Sequence, residues 1–126
     1  MAVYKLFPIK DATIYSGYPA MNTGMDALLE VTSEFPETLT PSPRVSRALI
    51  EFDQDEIDEV INNKITGVFK SNLRAYVAKA EGINMNSTIK VYPISGSWNN
   101  GNGEYLDSPQ TLNGVSWGFQ DSSGSV

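Results

Sequence analysis

Cysteine and histidine are both absent from the 126 residues. Without cysteine the chain has no disulfide, no thiolate nucleophile and no Cys-ligated zinc or iron–sulfur site. That composition fits a protein assembled in a reducing cytoplasm. Without histidine it lacks the side chain that usually serves as a general base near neutral pH and as a metal ligand. Chemistry would have to rest on carboxylates, Lys, Ser or Tyr alone, so the expectation is a protein that is not an enzyme and needs no cofactor. Long apolar runs are missing too, so no segment is expected to span a membrane. The opening Met1-Ala2-Val3-Tyr4-Lys5-Leu6-Phe7-Pro8 has neither an apolar signal core nor a cleavage pattern, so no secretory signal is expected. Positive charge is scarce: nine Lys and Arg against fifteen Asp and Glu give a net charge of −6. The basic residues are scattered from Lys5 to Lys90 without a basic stripe, so no nucleic-acid partner is expected.

What is present describes an ordinary globular chain, 40% hydrophobic and 19% charged. Its length suits a single domain over residues 1–126. A domain of that size is expected to bury roughly two-thirds of its unfolded surface. The dominant pattern is alternation with period two, broken by Gly, Pro, Asn and Ser clusters, which points to antiparallel β structure. Strands are expected at Val3–Ile9, Ala12–Tyr15, Ala27–Thr32, Ser46–Phe52, Ser87–Ile94 and Val115–Gln120. Asn72–Lys79 fits either a helical stripe or a strand and is assigned to a strand by its neighbours. Gly17-Tyr18-Pro19 and Asn22-Thr23-Gly24 read as turns. Pro36, Pro41 and Pro43 exclude a central strand from Phe35–Arg44. Ser95–Gly114 is rich in Gly, Asn and Ser and is expected to form a long structured loop.

One helix is expected, over about 54–64. Asp53 has the character of an N-cap, with Glu56 three residues on. Ile57, Val60, Ile61 and Ile65 recur on one face. Acidic residues crowd the first turn, Lys64 sits near the end and Gly67 stops it. Asp53-Gln54-Asp55-Glu56-Ile57-Asp58 also begins like a calcium loop. However, Ile57 and Asp58 occupy the places of an oxygen ligand and the glycine, so capping explains the run better.

Three ordered pieces resemble the DNRLRE-type β-sandwich family, which is related to certain carbohydrate-binding modules and recurs in surface proteins. They are Lys10-Asp11-Ala12-Thr13-Ile14 with Asn22-Thr23-Gly24, then Ser46 to Asp53, then Ile89 to Ile94 through Ser97-Trp98 to Gly114-Val115-Ser116-Trp117. Together with the Ala2–Pro8 opening they are similar to the N-terminal part of structural proteins of tailed-phage virions. The resemblance implies a mainly β, antiparallel jelly-roll-like sandwich without catalytic residues. It also implies a virion location after assembly in the host cytoplasm, with other virion proteins or copies of the chain as partners. Family members continue for several strands past the second Trp, whereas this chain stops at Val126. The resulting expectation is a sandwich truncated at its C-terminus or completed by a neighbouring subunit.

The loop Trp98–Asp107 is the candidate for ligand binding. An exposed aromatic ring there would stack on a sugar face while amides and carboxylates take its hydroxyls, which makes Trp98, Asn99, Asn102, Tyr105 and Asp107 a candidate surface-glycan site. The competing reading buries Trp98 and Trp117 as core anchors and leaves Gly and Asn to serve the turns; it is preferred. Asn100, Asn102, Glu104 and Asp107 could supply oxygens to Ca²⁺ without any established loop spacing, so no metal site is assigned. Tyr15, Tyr18 and Phe35 are candidate interface residues, because loop-tip aromatics often make contacts. Ser87-Thr88-Ile89-Lys90 matches a nucleophile motif only by chance.

Overall fold

A computed structural model describes residues 2–34, 42–82, 86 and 88–123 of the chain. It is mostly strand with one short helix. An antiparallel sheet is built from β1 (Pro8–Tyr15), β2 (Ser33–Glu34) and β3 (Arg44–Phe52) in the order β1-β3-β2. A two-stranded antiparallel pair joins β4 (Asn113–Gly114) to β5 (Ser122–Ser123). Phe35 and most of the proline-rich segment lie outside the described residues.

β1 replaces the two strands expected at Val3–Ile9 and Ala12–Tyr15. The polar Lys10-Asp11 pair looked like a break in the alternation, but both residues are used in pairing. Lys10 lies opposite Glu51 and Asp11 opposite Ile50, after a register shift between Pro8 and Lys10. The Lys10 ammonium reaches the Glu51 carboxylate at 3.0 Å across the strands. On the same face Ala12 sits opposite Leu49 and Ile14 opposite Arg47. Ala12, Ile14 and Leu49 pack against Trp98 and Val115, and this is the apolar core.

The helix follows its sequence signals. α1 (Gln54–Glu59) runs on into a wider π-helical turn at Val60–Lys64. The Asp53 carboxylate accepts from the Asp55 amide at 2.9 Å and the Glu56 amide at 3.5 Å, a cap that stabilises a helix by ~1 kcal/mol. Val60 is buried, Ile57 and Ile65 are half-buried and Ile61 is exposed. Lys64 pairs with Glu59 at 3.0 Å, and that bond holds its ammonium pKa above the ordinary value. Gly67 follows at φ 91°.

Four expected strands have a different structure. Ala27–Thr32 runs beside the sheet mainly on side-chain bonds: the Glu30 amide donates to Thr13 Oγ1 at 3.0 Å and the Thr32 amide to Ser46 Oγ at 2.8 Å, with one backbone bond at its end, from the Ser46 amide to the Thr32 carbonyl at 3.1 Å. Val115–Gln120 is a tight reversal, in which Ser116 and Phe119 exchange backbone hydrogen bonds across Trp117-Gly118. Residues 66–96, which contain the strands expected at Asn72–Lys79 and Ser87–Ile94, form neither strand nor helix among the described residues. No backbone hydrogen bond ties a described residue of this stretch to another element. The apolar alternation is there, but a strand exists only through a paired neighbour, and none lies alongside.

The consequence is a large exposed surface. The chain exposes 10437 Å², against about 6,600 Å² for a compact monomer of its mass. Roughly half of the unfolded surface is buried instead of the two-thirds expected from length. In 66–96 every described residue up to Ser95 is exposed.

Candidate functional site

Asn22, read from sequence as part of a turn, is the centre of a buried polar hub. It is 1% exposed, and its side-chain amide makes four hydrogen bonds. Nδ2 donates to the carbonyls of Asn100 and Val115, both at 2.8 Å. Oδ1 accepts from the amides of Gly103 at 2.8 Å and Gly24 at 3.2 Å. This uses the full capacity of the group. Next to it Thr23 Oγ1 accepts from the Thr13 amide at 3.0 Å and donates to the Thr13 carbonyl at 2.7 Å. Asn100 completes the hub: its Nδ2 donates to the Gly24 carbonyl at 2.8 Å and its Oδ1 accepts from the Asp11 amide at 3.2 Å. Backbones approach so closely here that a Cβ on Gly24 would overlap the Asn100 carbonyl, and one on Gly114 would overlap Gly101. The loop carrying most of the candidate residues is thereby pinned to β1.

Pinning sends those residues to different places. Trp98 is 8% exposed and lies in the core. Its carbonyl accepts from Lys10 Nζ at 3.2 Å, and that ammonium sits 5.7 Å from its ring centroid. The ring is therefore no exposed platform for a sugar, and what remains of its surface faces an apolar concavity. Asn99 Oδ1 accepts from the Gly101 amide at 3.3 Å and the Asn102 amide donates to Asn113 Oδ1 at 3.2 Å; both residues are exposed. Asp107 Oδ2 accepts from the Thr111 amide at 3.0 Å. Bonding to Thr111 holds the Asp107 carboxyl below its ordinary pKa. Asn100 and Asp107, two of the four possible calcium donors, thus each spend a side-chain oxygen on a backbone amide, Asn100 on that of Asp11 in β1 and Asp107 on that of Thr111.

Tyr105, 46% exposed, is brought to the two described interface candidates. Its ring lies 5.2 Å from Tyr15 at 54° and 6.2 Å from Tyr18 at 85°, distances and tilts that favour aromatic pairs. Together with Glu30, Thr32 and Arg44 the three rings border a groove of about 120 Å³. Tyr15 donates its hydroxyl to Glu30 Oε2 at 2.8 Å. Burial, reinforced by that bond, pushes the Tyr15 phenol pKa well above its ordinary value. Burial and the adjacent Tyr18 raise that of Tyr105 as well. The sequence did not point to Glu30, Thr32 or Arg44, because long-range contacts bring them to the tyrosines: the bonds of Glu30 to Thr13 and of Thr32 to Ser46, and the pairing of β2 with β3, Glu34 opposite Arg44.

A second concavity of about 230 Å³ opens beside the core, between Ile14, Leu49, Ile94, Trp98, Trp117 and Phe119. Its lining is mainly apolar, with Ser97, Ser116 and Gln120 as the polar side chains, and Ser116 Oγ is buried without a hydrogen-bond partner. The Arg47 guanidinium caps Trp117 at 4.9 Å from the ring centroid. No family model, curated protein or solved structure matches this chain.

Proposed function

We propose that this protein is a non-catalytic structural component of a tailed-phage virion, acting through assembly interfaces. The observation that carries the reading is its surface. The excess of about 3,800 Å² over a compact monomer is of the size buried in obligate interfaces, where partners together cover about 2,000–5,000 Å². That surface bears Val68, Tyr76, Val77, Ile89, Val91 and Tyr92, all strongly exposed. Apolar side chains exposed in such number support an interaction surface. On this reading the β1-β3-β2 sheet and its core are part of a jelly-roll-like sandwich that a neighbouring polypeptide completes. The lack of His and Cys supports the absence of catalysis, and the resemblance to the DNRLRE-type family supports the virion setting. Sedimentation velocity across ~1–100 μM tests the assembly: species larger than a monomer are expected, and a monodisperse monomer throughout that range refutes it. Mass spectrometry of purified virions tests the setting, with this chain expected as a stoichiometric component.

A second reading has one observation in its favour, the exposed Tyr105 ring beside a groove bearing both hydrogen-bond donors and acceptors. It makes the chain a glycan-binding adhesion module, with the contact moved from Trp98 to Tyr105. Binding on a glycan array that is lost with Tyr105→Ala would support it. No binding at millimolar ligand counts against it.

A further inference from the structure

Charge is divided between the two exposed parts of the molecule. Residues 66–96 carry Lys70, Arg74, Lys79 and Lys90 against Glu81 alone, a net +3. The remaining residues hold five basic and fourteen acidic side chains, a net −9, and the two sum to the −6 of the whole. Within 66–96 only Lys79 is paired, with Glu81 at 2.8 Å. Lys70, Arg74 and Lys90 form no ion pair among the described residues. On the other side Asp55, Glu56 and Asp58 of α1 form none either. The stretch is thus apolar and basic at once, and it stands off a body that is acidic and has an open apolar cleft.

We propose that the 66–96 excursion of one copy packs on the body of a second copy, its apolar side chains against the cleft between Trp98 and Trp117 and its basic side chains against the acidic surface. This rests on the assembly reading above and names the partner within it. Three observations choose a second copy of this chain. The charges are opposite, so bodies repel one another and excursions attract them. The excess of about 3,800 Å² per chain far exceeds the ~800 Å² per partner of a standard interface. Geometry supplies the third: the excursion runs between the helix end at Ile65 and the buried Trp98, and its described residues border their own cleft only near its end, through Ile94 and Gly96. At up to ~3.3 Å per residue, out and back, it reaches about 50 Å from the body, more than the width of a domain this size.

The test mixes ¹⁴N- and ¹⁵N-labelled chains in equal amounts and joins them with a zero-length carbodiimide, which links Lys amines to carboxylates. Mass spectrometry should find mixed-isotope links from Lys70, Lys79 or Lys90 to body carboxylates. The triple reversal Lys70→Glu, Arg74→Glu, Lys90→Glu should raise the self-dissociation constant at least tenfold in low salt. The far-UV and near-UV circular dichroism of the body should be unchanged, because all three sites are exposed. In the unaltered chain, about 0.5 M NaCl should also weaken association, since screening then acts within a few ångströms. Monomers at every concentration would overturn both this proposal and the assembly reading. Assemblies giving only same-isotope links, or leaving 66–96 fully open to amide exchange, would overturn this proposal and leave assembly standing.

Discussion

Asn22 and Tyr76 stand at the two extremes of this chain. Asn22 is almost wholly enclosed and every hydrogen-bonding position of its amide is filled. Tyr76 is 86% exposed, in a stretch whose described residues make no backbone bond to another element. The sequence around each would have suggested the reverse, a polar Asn-Thr-Gly turn and an apolar alternating strand. The difference teaches that position in a fold is decided by available partners. A polar side chain with four partners is cheaper to bury than an apolar strand with none is to fold, because unpaired backbone groups retreat to water.

The largest test of that contrast is Asn22→Ala. It strips partners from two carbonyls and two amides in the buried hub, at ~1–3 kcal/mol for each group left unsatisfied. A loss of about 4 kcal/mol in urea unfolding is expected, and a loss under 1 kcal/mol would mean that water replaces the amide and the hub is no anchor. Next comes pH. Burial and the bond to Glu30 raise the folded-state pKa of Tyr15 above its unfolded value. Its contribution to stability is therefore complete below about pH 10, the unfolded value, and is lost as pH rises through the folded value. Absorbance titration at 295 nm should show one tyrosine ionising after the rest, and Tyr15→Phe should remove that step. Smaller still is the Lys10–Glu51 pair. Each side chain is about a third exposed, 32% and 34%, so Glu51→Gln should cost under about 1 kcal/mol, read from the urea midpoint. At the bottom is Tyr76→Ser, expected to leave the unfolding free energy of the dilute chain within about 0.5 kcal/mol while weakening self-association. Destabilisation of the dilute monomer by more than 1 kcal/mol would show that Tyr76 packs on its own body.

Legibility followed the range of the interactions. β3 and the helix were visible because their signals are local: alternation from Ser46 to Phe52, and a cap at Asp53 followed by an apolar face. The expected burial of Trp98 was likewise visible from residue type. β1 was read as two strands because Lys10 and Asp11 looked like a break; their partners, Glu51, Asn100 and Trp98, lie 41 to 89 residues away. The Asn22 hub left one trace, the glycines at 24, 101, 103 and 114, but glycine in a loop signals turns as readily as close backbone contact. The groove at Tyr105 left less, since its walls come from four separate parts of the chain. The strands expected in 66–96 show the opposite failure. Their pattern encodes the capacity to pair, and capacity alone gives no partner.

The outer edge of β1 has a consequence for how copies can meet. Side chains already occupy backbone groups of Asp11 and Thr13 that point away from β3, Asn100 on the first and Thr23 on the second. A foreign strand arriving there would have to evict two well-bonded residues before gaining one rung of ladder. Open-ended growth by strand addition, the usual route from an unfinished sheet to a fibril, is blocked on that side. A contact made on this side has to use faces and charge instead of backbone pairing, the kind of contact that can be set to a fixed number and then stop.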